Sequence, residues 1–304
     1  MSASDHPHSH SKVFEAMTVT VAAKNEQLAD SWDRIVVDPA VKDRILNHAL
    51  MAINLRKAGI GGVGLPLHGL LLLNGLPGVG KTTLARGLAS AVAENLGDRF
   101  GTVRLVDVNM HLLPSELLGR TQRNIVQLFQ EELPALADDG PIVVVLDEVE
   151  VLAVSRSEAS LDINPADVFR GTAALLSALD WISREAPGVL VVGTTNLAGA
   201  LDDAVISRAD LVMELPLPGA MVIREILADT LRDLGRSFPA CAELASAAEL
   251  DEVAQLLDGT DGRQVRKFVA DALASSRETA LDPSTLEMNT LMTLAKDRAT
   301  RQRR

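Results

Sequence analysis

Five short runs rich in apolar and β-branched residues recur along the chain, separated by longer stretches with helical spacing. The runs are "LLLLN" (Leu70 to Asn74), "TVRLVDV" (Thr102 to Val108), "IVVVL" (Ile142 to Leu146), "VLVVGTT" (Val189 to Thr195) and "LVMEL" (Leu211 to Leu215). Between them, "KTTLARGLASAVAENL", "RNIVQLFQEELPALA" and "FRGTAALLSALDWIS" repeat apolar residues at helical intervals. Continuous apolar strands alternating with helices predict an α/β fold with a five-stranded parallel sheet flanked by helices. After "LPLPG", Leu215 to Gly219, the strand signal stops and helical patterns run to the end. The expected organisation is a flexible N-terminal segment over 1–29, a large α/β domain over 30–217 and a small helical lid over 218–304. Around Arg34 the sequence predicts a short extended stretch, a turn at Pro39 and a long helix ending near Gly59. Gly59, Gly61, Gly62 and Gly64 then form a loose connection into the first strand.

Composition narrows what such a chain can meet. Its 304 residues are 47% apolar, enough for a substantial core, and the net charge is -12. That charge opposes a broad nucleic-acid or anionic-membrane footprint, while leaving room for one phosphate ligand in a local positive site. The single cysteine, Cys241, excludes an internal disulfide and suits a reducing compartment, where it is expected to pack as a small apolar residue. With no apolar run of spanning length and no signal pattern at the start, a cytoplasmic location is expected. His6, His8 and His10 alternate near the N-terminus, but no acid or thiol completes a ligand set, so a solvated segment is the simpler reading. The basic C-terminal tail "KDRATRQRR" reads as a solvated helix end.

The strand "IVVVL" runs directly into Asp147 and Glu148. Adjacent carboxylates at the exit of a buried strand repel each other and resist desolvation, so they require a cation or ligand. "GLPGVGKTT", Gly75 to Thr83, supplies it: glycine, four residues, then Gly80, Lys81 and Thr82, placed between a strand and a helix. In such a loop, shaped in part by Pro77, the backbone N–H groups of Gly78, Val79 and Gly80 and of the first helical turn through Thr83 converge on phosphate. Lys81 adds charge on the outer phosphates, and the Thr82 hydroxyl and Asp147 hold Mg²⁺. Glu148 is then free to act as general base on water. These residues predict ATP with Mg²⁺ as the ligand.

Three further residues extend the site. Asn196, after "VLVVGTT", is either a turn residue or a sensor of the terminal phosphate. Arg208 in "LDDAVISRADL" is either an arginine finger for a neighbouring subunit or the partner of Asp202, Asp203 or Asp210. Arg263 in "GTDGRQVRKF" stands in the first turn of a helix, where a cation opposes the macrodipole and so hints at an anionic target.

In order, "GLPGVGKTT", "IVVVLDE", "GTTN", "SRAD" and "GTDGR" resemble the motifs of AAA+ P-loop ATPases. "LDEVEVLAVSR", "NPADVFRGTAALLSALDWI", "SWDRIVVDPAVKDRIL" and "GRQVRKF" narrow the likeness to the pachytene-checkpoint ATPases, relatives of thyroid hormone receptor interactor thirteen. The resemblance covers roughly residues 30 to 275 and looks like the compact bacterial type. It implies a homohexameric ring that uses ATP to open or disassemble HORMA-domain proteins. It also implies that Asn196 is sensor one, Arg208 the finger and Arg263 sensor two, and that Val36 and Val37 pack near adenine. About 30 residues precede "SWDRIV", whereas eukaryotic members carry a separate recognition domain there. The pore-loop region "HLLPSELLGRTQRN" offers Leu117 and Leu118 where an aromatic grip is usual, with ordinary core packing as the alternative. "SRSEASLDINP", Ser155 to Pro165, is expected to form a second pore-facing loop or a solvated one.

By this resemblance the chain is expected to restrain a cGAS-like nucleotidyltransferase in bacterial anti-phage defence by removing its HORMA activator. A DNA loader is the alternative from the nucleic-acid class, opposed by the acidic charge and the lack of an added DNA-binding motif. An ATP-dependent scaffold that does not thread its partner is the alternative from the binding class.

Overall fold

A computed structural model describes residues 12–60, 65–114, 119–153, 165–196, 199 and 201–302. Leu117 and Leu118, nearly all of the second expected pore loop and the His-rich N-terminus lie outside these residues. By its contacts the chain forms two units. The second unit comprises residues 36–39, 75–80 and 215–304, and the remainder forms the first. Thus two short segments expected in the large domain group with the C-terminal helices.

In the first unit the chain runs through α1 (Lys12–Glu15), β1 (Met17–Val21), α2 (Glu26–Asp33) and α3 (Pro39–Lys57), the first residue of which groups with the second unit. It continues through β2 (Leu70–Asn74), α4 (Lys81–Phe100), β3 (Arg104–Asn109), α5 (Arg120–Gln127) and α6 (Leu133–Leu136). Then follow β4 (Ile142–Asp147), α7 (Pro165–Glu185), β5 (Val189–Thr195), α8 (Asp203–Ile206) and β6 (Leu211–Glu214). The sheet order is β1-β3-β4-β5-β2-β6. β3, β4, β5, β2 and β6 are the expected parallel strands.

The sheet has six strands rather than five, because β1 pairs antiparallel with β3. Met17 lies opposite Val108, and hydrogen bonds from Asn109 N–H to Ala16 O and from Ala22 N–H to Val103 O continue the ladder. Much of the segment expected to be flexible, 1–29, is therefore structured. "MTVTV" is an exposed edge strand with no continuous apolar run, and its order comes from a partner more than eighty residues away. A second difference lies at "SWD", expected as extended chain. It ends α2, whose start is capped by Asn25 accepting from Leu28 N–H. The Trp32 backbone lies against Gly87, where a Cβ would approach Trp32 N to 2.7 Å.

Burial accounts for the strand patterns. β2, β4 and β5 are covered on both faces and buried along almost their whole length, which is why they read as unbroken apolar runs. β6, at the other edge, alternates: Leu211 and Met213 are buried while Val212 and Glu214 are exposed. Leu84, Leu88 and Val92 of α4 recur every four residues and are fully buried. Between α5 and α6 the helix loosens to a π-turn over Leu128–Glu132, with Leu133 N–H reaching Leu128 O. Pro134, just beyond, has no N–H to maintain the tighter ladder.

The second unit packs α9 (Ala220–Gly235), α10 (Pro239–Leu244), α11 (Leu250–Leu256), α12 (Gly262–Leu273), α13 (Arg277–Leu281) and α14 (Met288–Gln302). Its core contains Ile223, Leu227, Leu231, Val253, Phe268 and Leu291, with Val36 packed against it. Cys241 is buried and donates to Pro283 O at 3.2 Å, and burial pushes its thiol above the ordinary range. Among the described residues no helix is long and apolar enough to cross a membrane.

One buried cation ties the first unit's layers together. Arg56 of α3 donates to Val189 O at 2.6 Å and to Ile182 O and Ala186 O at 2.7 and 3.1 Å. It thereby caps the C-terminus of α7 where β5 begins. Desolvation pulls its guanidinium down to about 10, so it stays charged at neutral pH. Gly69, at φ +71°, makes room: a Cβ there would come within 1.9 Å of Arg56 Nη1. Arg56→Met should remove three charge-assisted hydrogen bonds, although Ile182 O and Ala186 O keep the backbone donors Ala186 N–H and Val189 N–H, and cost about 2 kcal/mol. Urea unfolding of the two proteins at neutral pH measures the loss.

Candidate nucleotide-binding site

Parallel registry brings the chemistry-bearing residues of the first unit to one edge of its sheet. Asn109 of β3 lies opposite Asp147 of β4, and Leu146 lies opposite Gly193 of β5. The residues just beyond these strand ends therefore emerge side by side, in the position where open α/β sheets bind ligands.

The loop from β2 to α4 turns on glycines. Gly75, Gly78 and Gly80 have φ of +146°, +85° and +102°, a backbone path that side chains disfavour. In the second unit, Gly78 faces Asp261, whose carboxylate would meet an added Cβ at 2.1 Å. Asp261 also caps α12 by accepting from Gln264 N–H at 3.0 Å. Arg263 is exposed in the first turn of that helix, and Val36 and Val37 are half-buried in the same unit.

Lys81 opens α4 and is buried, with Nζ donating to Asn196 Oδ1 at 2.8 Å. The Thr82 hydroxyl donates to Asp147 Oδ1 at 2.7 Å. Thr194 donates to the same carboxylate oxygen, and Glu148 N–H donates to Thr194 Oγ1 at 3.3 Å. The hydroxyl and carboxylate expected to share a divalent cation already face each other, in the same unit as the buried Lys81. This donor set fits a nucleotide carrying Mg²⁺.

Glu148 follows in the left-handed region, φ +56° and ψ +55°, which is uncommon for a residue with a side chain. Its Oε2 is 2.9 Å from His111 Nε2, and Asn196 Nδ2 approaches its Oε1 at 3.5 Å. Asn196 N–H donates to Glu150 Oε1 at 3.1 Å. Lys81, Asn196, Glu148 and His111 thus form one continuous polar chain around Asp147.

Arg208 lies elsewhere in the first unit. Its Nε and Nη2 donate to the two oxygens of Asp180 at 2.7 and 2.9 Å, and Nη1 donates to Ala204 O at 2.8 Å. Its partner is therefore Asp180 of α7, not Asp202, Asp203 or Asp210. Asp210 instead accepts from His68 and Gly69 N–H at 2.8 and 2.7 Å. The hydrogen bond from Arg208 holds the Asp180 carboxyl below its usual range, and the same bond raises the guanidinium. Thr194, Glu150, His111 and Asp180 were missed in the sequence. Only Thr194 and Glu150 carry a local signal, since they stand within the "GTTN" and "DEVE" segments.

The model for the ATPase family associated with various cellular activities (AAA) matches residues 71–217. The chain is also 43% identical over 267 residues to CD-NTase-associated protein 6 of Pseudomonas aeruginosa, covering 88% of this chain and 87% of that one. The chain belongs to the AAA ATPases. Within them it is homologous to pachytene checkpoint protein 2. The Arabidopsis thaliana homolog is 30% identical over 285 residues, covering 83% of this AAA ATPase but 61% of the plant protein.

Solved structures agree on the fold. C. elegans PCH-2 superposes with a TM-score of 0.74 at 22% identity, covering 94% of this AAA ATPase and 76% of that chain. A chain of the E. coli MS115-1 HORMA:CdnC:Trip13 complex gives 0.72 at 19% identity, covering 92% and 94%.

The Asp180 to Arg208 pair in this AAA ATPase makes a pH-dependent prediction. A carboxyl held below its unfolded value stabilises above the ordinary Asp range, near 4, and loses that contribution as pH falls through its folded value. Both groups are partly solvent-exposed, so Asp180→Asn should cost about 1 kcal/mol or less at neutral pH. Urea unfolding of wild type and variant across pH 3 to 7 should show the difference fading toward the acid end.

Proposed function

We propose that this chain assembles as a homohexamer, hydrolyses ATP and uses the energy to open or disassemble a HORMA-domain protein. By that action it restrains a cGAS-like nucleotidyltransferase in anti-phage defence. The observation that carries this reading is the 43% identity to CD-NTase-associated protein 6 across 88% of the chain. The likeness to a chain from a HORMA:CdnC:Trip13 complex supports the same fold. The partners are a HORMA-domain protein and, through it, the nucleotidyltransferase, with neither nucleic acid nor membrane, and the setting is the cytoplasm.

In this mechanism the backbone of Pro77, Gly78, Val79 and Gly80 and the helix start through Thr83 cradle phosphate. Lys81 neutralises the outer phosphates, Thr82 and Asp147 hold Mg²⁺, and Val36 and Val37 flank the base. Bound Mg²⁺ supplies electrostatic stabilisation of charge on the phosphates. Glu148 orients the attacking water and takes its proton. Asn196, tied to both Lys81 and Glu148, places the water relative to the terminal phosphate. Arg208 serves a neighbouring subunit's nucleotide, and Arg263 reports on phosphate from the lid. Leu117 and Leu118 grip an extended segment of the substrate. The domains that divide this work are an N-terminal segment over 1–29, the ATPase domain over 30–217 and the lid over 218–304.

Lys81→Ala should abolish ATP binding, whereas Glu148→Gln should bind ATP and lose roughly 10²- to 10⁴-fold in turnover. Calorimetry with ATP and phosphate-release kinetics separate the two. Purified protein with ATP and a HORMA activator should lower the output of the synthase that the activator turns on, and Glu148→Gln should not. Undiminished output, with ATP turnover and complex formation both verified, would refute the remodelling function.

A further inference from the structure

His111 is the one histidine among the described residues whose ring contacts a residue of the candidate hydrolytic site. It stands in the short turn Met110–Leu112 that follows β3, and the turn is fixed from several sides. Asn109 Oδ1 accepts from His111 N–H at 3.1 Å, Met110 and Leu113 are fully buried, and Asn124 Nδ2 donates to Leu113 O at 2.9 Å. The ring is thus presented from a rigid base toward Glu148 Oε2, 2.9 Å from Nε2. An ionised carboxylate only accepts, so Nε2 carries the proton and donates.

The pair opens onto a hollow of about 390 Å³ whose walls include Glu15, Thr18, Arg86 and Asp107. Arg86 is committed to Asp107 at 2.7 Å, leaving His111 as the donor within reach of Glu148 on this side. Histidine and glutamate are 61% and 46% exposed, and a polar contact so open to water contributes little to folding. Its consequence falls on the orientation of the carboxylate instead. Glu148 has a left-handed backbone and a side chain with several rotatable bonds, so without a second contact the carboxylate is free to rotate away.

We propose that His111 is a positioning residue for the general base. Its Nε2–H occupies Glu148 Oε2 and leaves Oε1, on the Asn196 side, to receive the proton of the attacking water. This assignment rests on the reading of Glu148 as the base. It also gives β1 a role, since the residues around that strand close the far wall of the hollow beside the pair.

The test uses the full chain with Mg²⁺ and ATP. His111→Ala and His111→Asn should each lower kcat roughly 10-fold or more while KM changes less than about twofold. His111→Gln, whose amide nitrogen reaches where Nε2 stands, should stay within about threefold of wild type; the Asn amide falls short. In a Glu148→Gln background, adding His111→Ala should lower the residual rate no further, because the two side chains act as a unit.

An unchanged kcat in His111→Ala, equal behaviour of the Asn and Gln variants, or additive losses in the double variant would overturn the assignment. Glu148→Gln turning over at the wild-type rate would remove the functional reading and this assignment with it. An inactive Glu148→Gln beside a fully active His111→Ala would overturn this assignment alone.

Discussion

The carboxylate of Asp147 organises the site in the first unit. It terminates a strand buried on both faces, where an ionised acid without donors would be costly. Two hydroxyls meet that demand: Thr82 from the first turn of α4 and Thr194 from the end of β5. Each comes from a different neighbour of β4, so satisfying this one oxygen requires the strand ends to be level and α4 to start where it does. Registry between β4 and β5 supplies the first condition, and the glycine turn after β2 supplies the second. A shift of one residue along either strand would turn the donor to the opposite face of the sheet.

Glu148 shows the cost of placing a second acid beside the first. Strand geometry alone would send adjacent side chains to opposite faces. The chain instead turns into the left-handed region at Glu148, a conformation costing about 1 kcal/mol or more for a residue with a Cβ. The turn carries the second carboxylate to the same end of the sheet as the first. There Asn196 and His111 approach its two oxygens from opposite sides. Asn196 is in turn held through its backbone by Glu150, one short turn further along the same chain. Three acids within four residues thus have distinct tasks, set by which donor each one meets.

The parallel strands, the glycine loop and the acid pair were legible because each is written in contiguous residues. Burial on both faces makes β2, β4 and β5 unbroken apolar runs, and phosphate binding demands its glycines and lysine at set intervals. β1 was not legible, since "MTVTV" is mostly exposed and becomes a strand only by meeting β3. The end of α2 was misread for a related reason: "SWD" carries no cap of its own, and Gly87 of α4 provides the close approach that seats it. His111 and Asp180 are ordinary polar residues in their own neighbourhoods. Their partners, Glu148 and Arg208, arrive 37 and 28 residues later in the chain.

Asp180 bears on the finger role proposed for Arg208. An Arg208 with an unconstrained side chain would lose considerable rotamer freedom each time it engaged a phosphate, on the order of 2 kcal/mol. Here the guanidinium is already held by a two-pronged contact to Asp180 and by Ala204 O. A contact buried in a dry interior would trap the cation, because removing a carboxylate's partner there is strongly unfavourable. This pair is partly open to water, with 38% of the Asp180 side chain exposed, so solvent and counterions compensate when the prongs separate. The contact sets the fork's orientation, and its exposure lowers the cost of separating the pair. Held this way, the orienting entropy is spent during folding, so that under the finger role proposed above less would be lost on meeting a nucleotide.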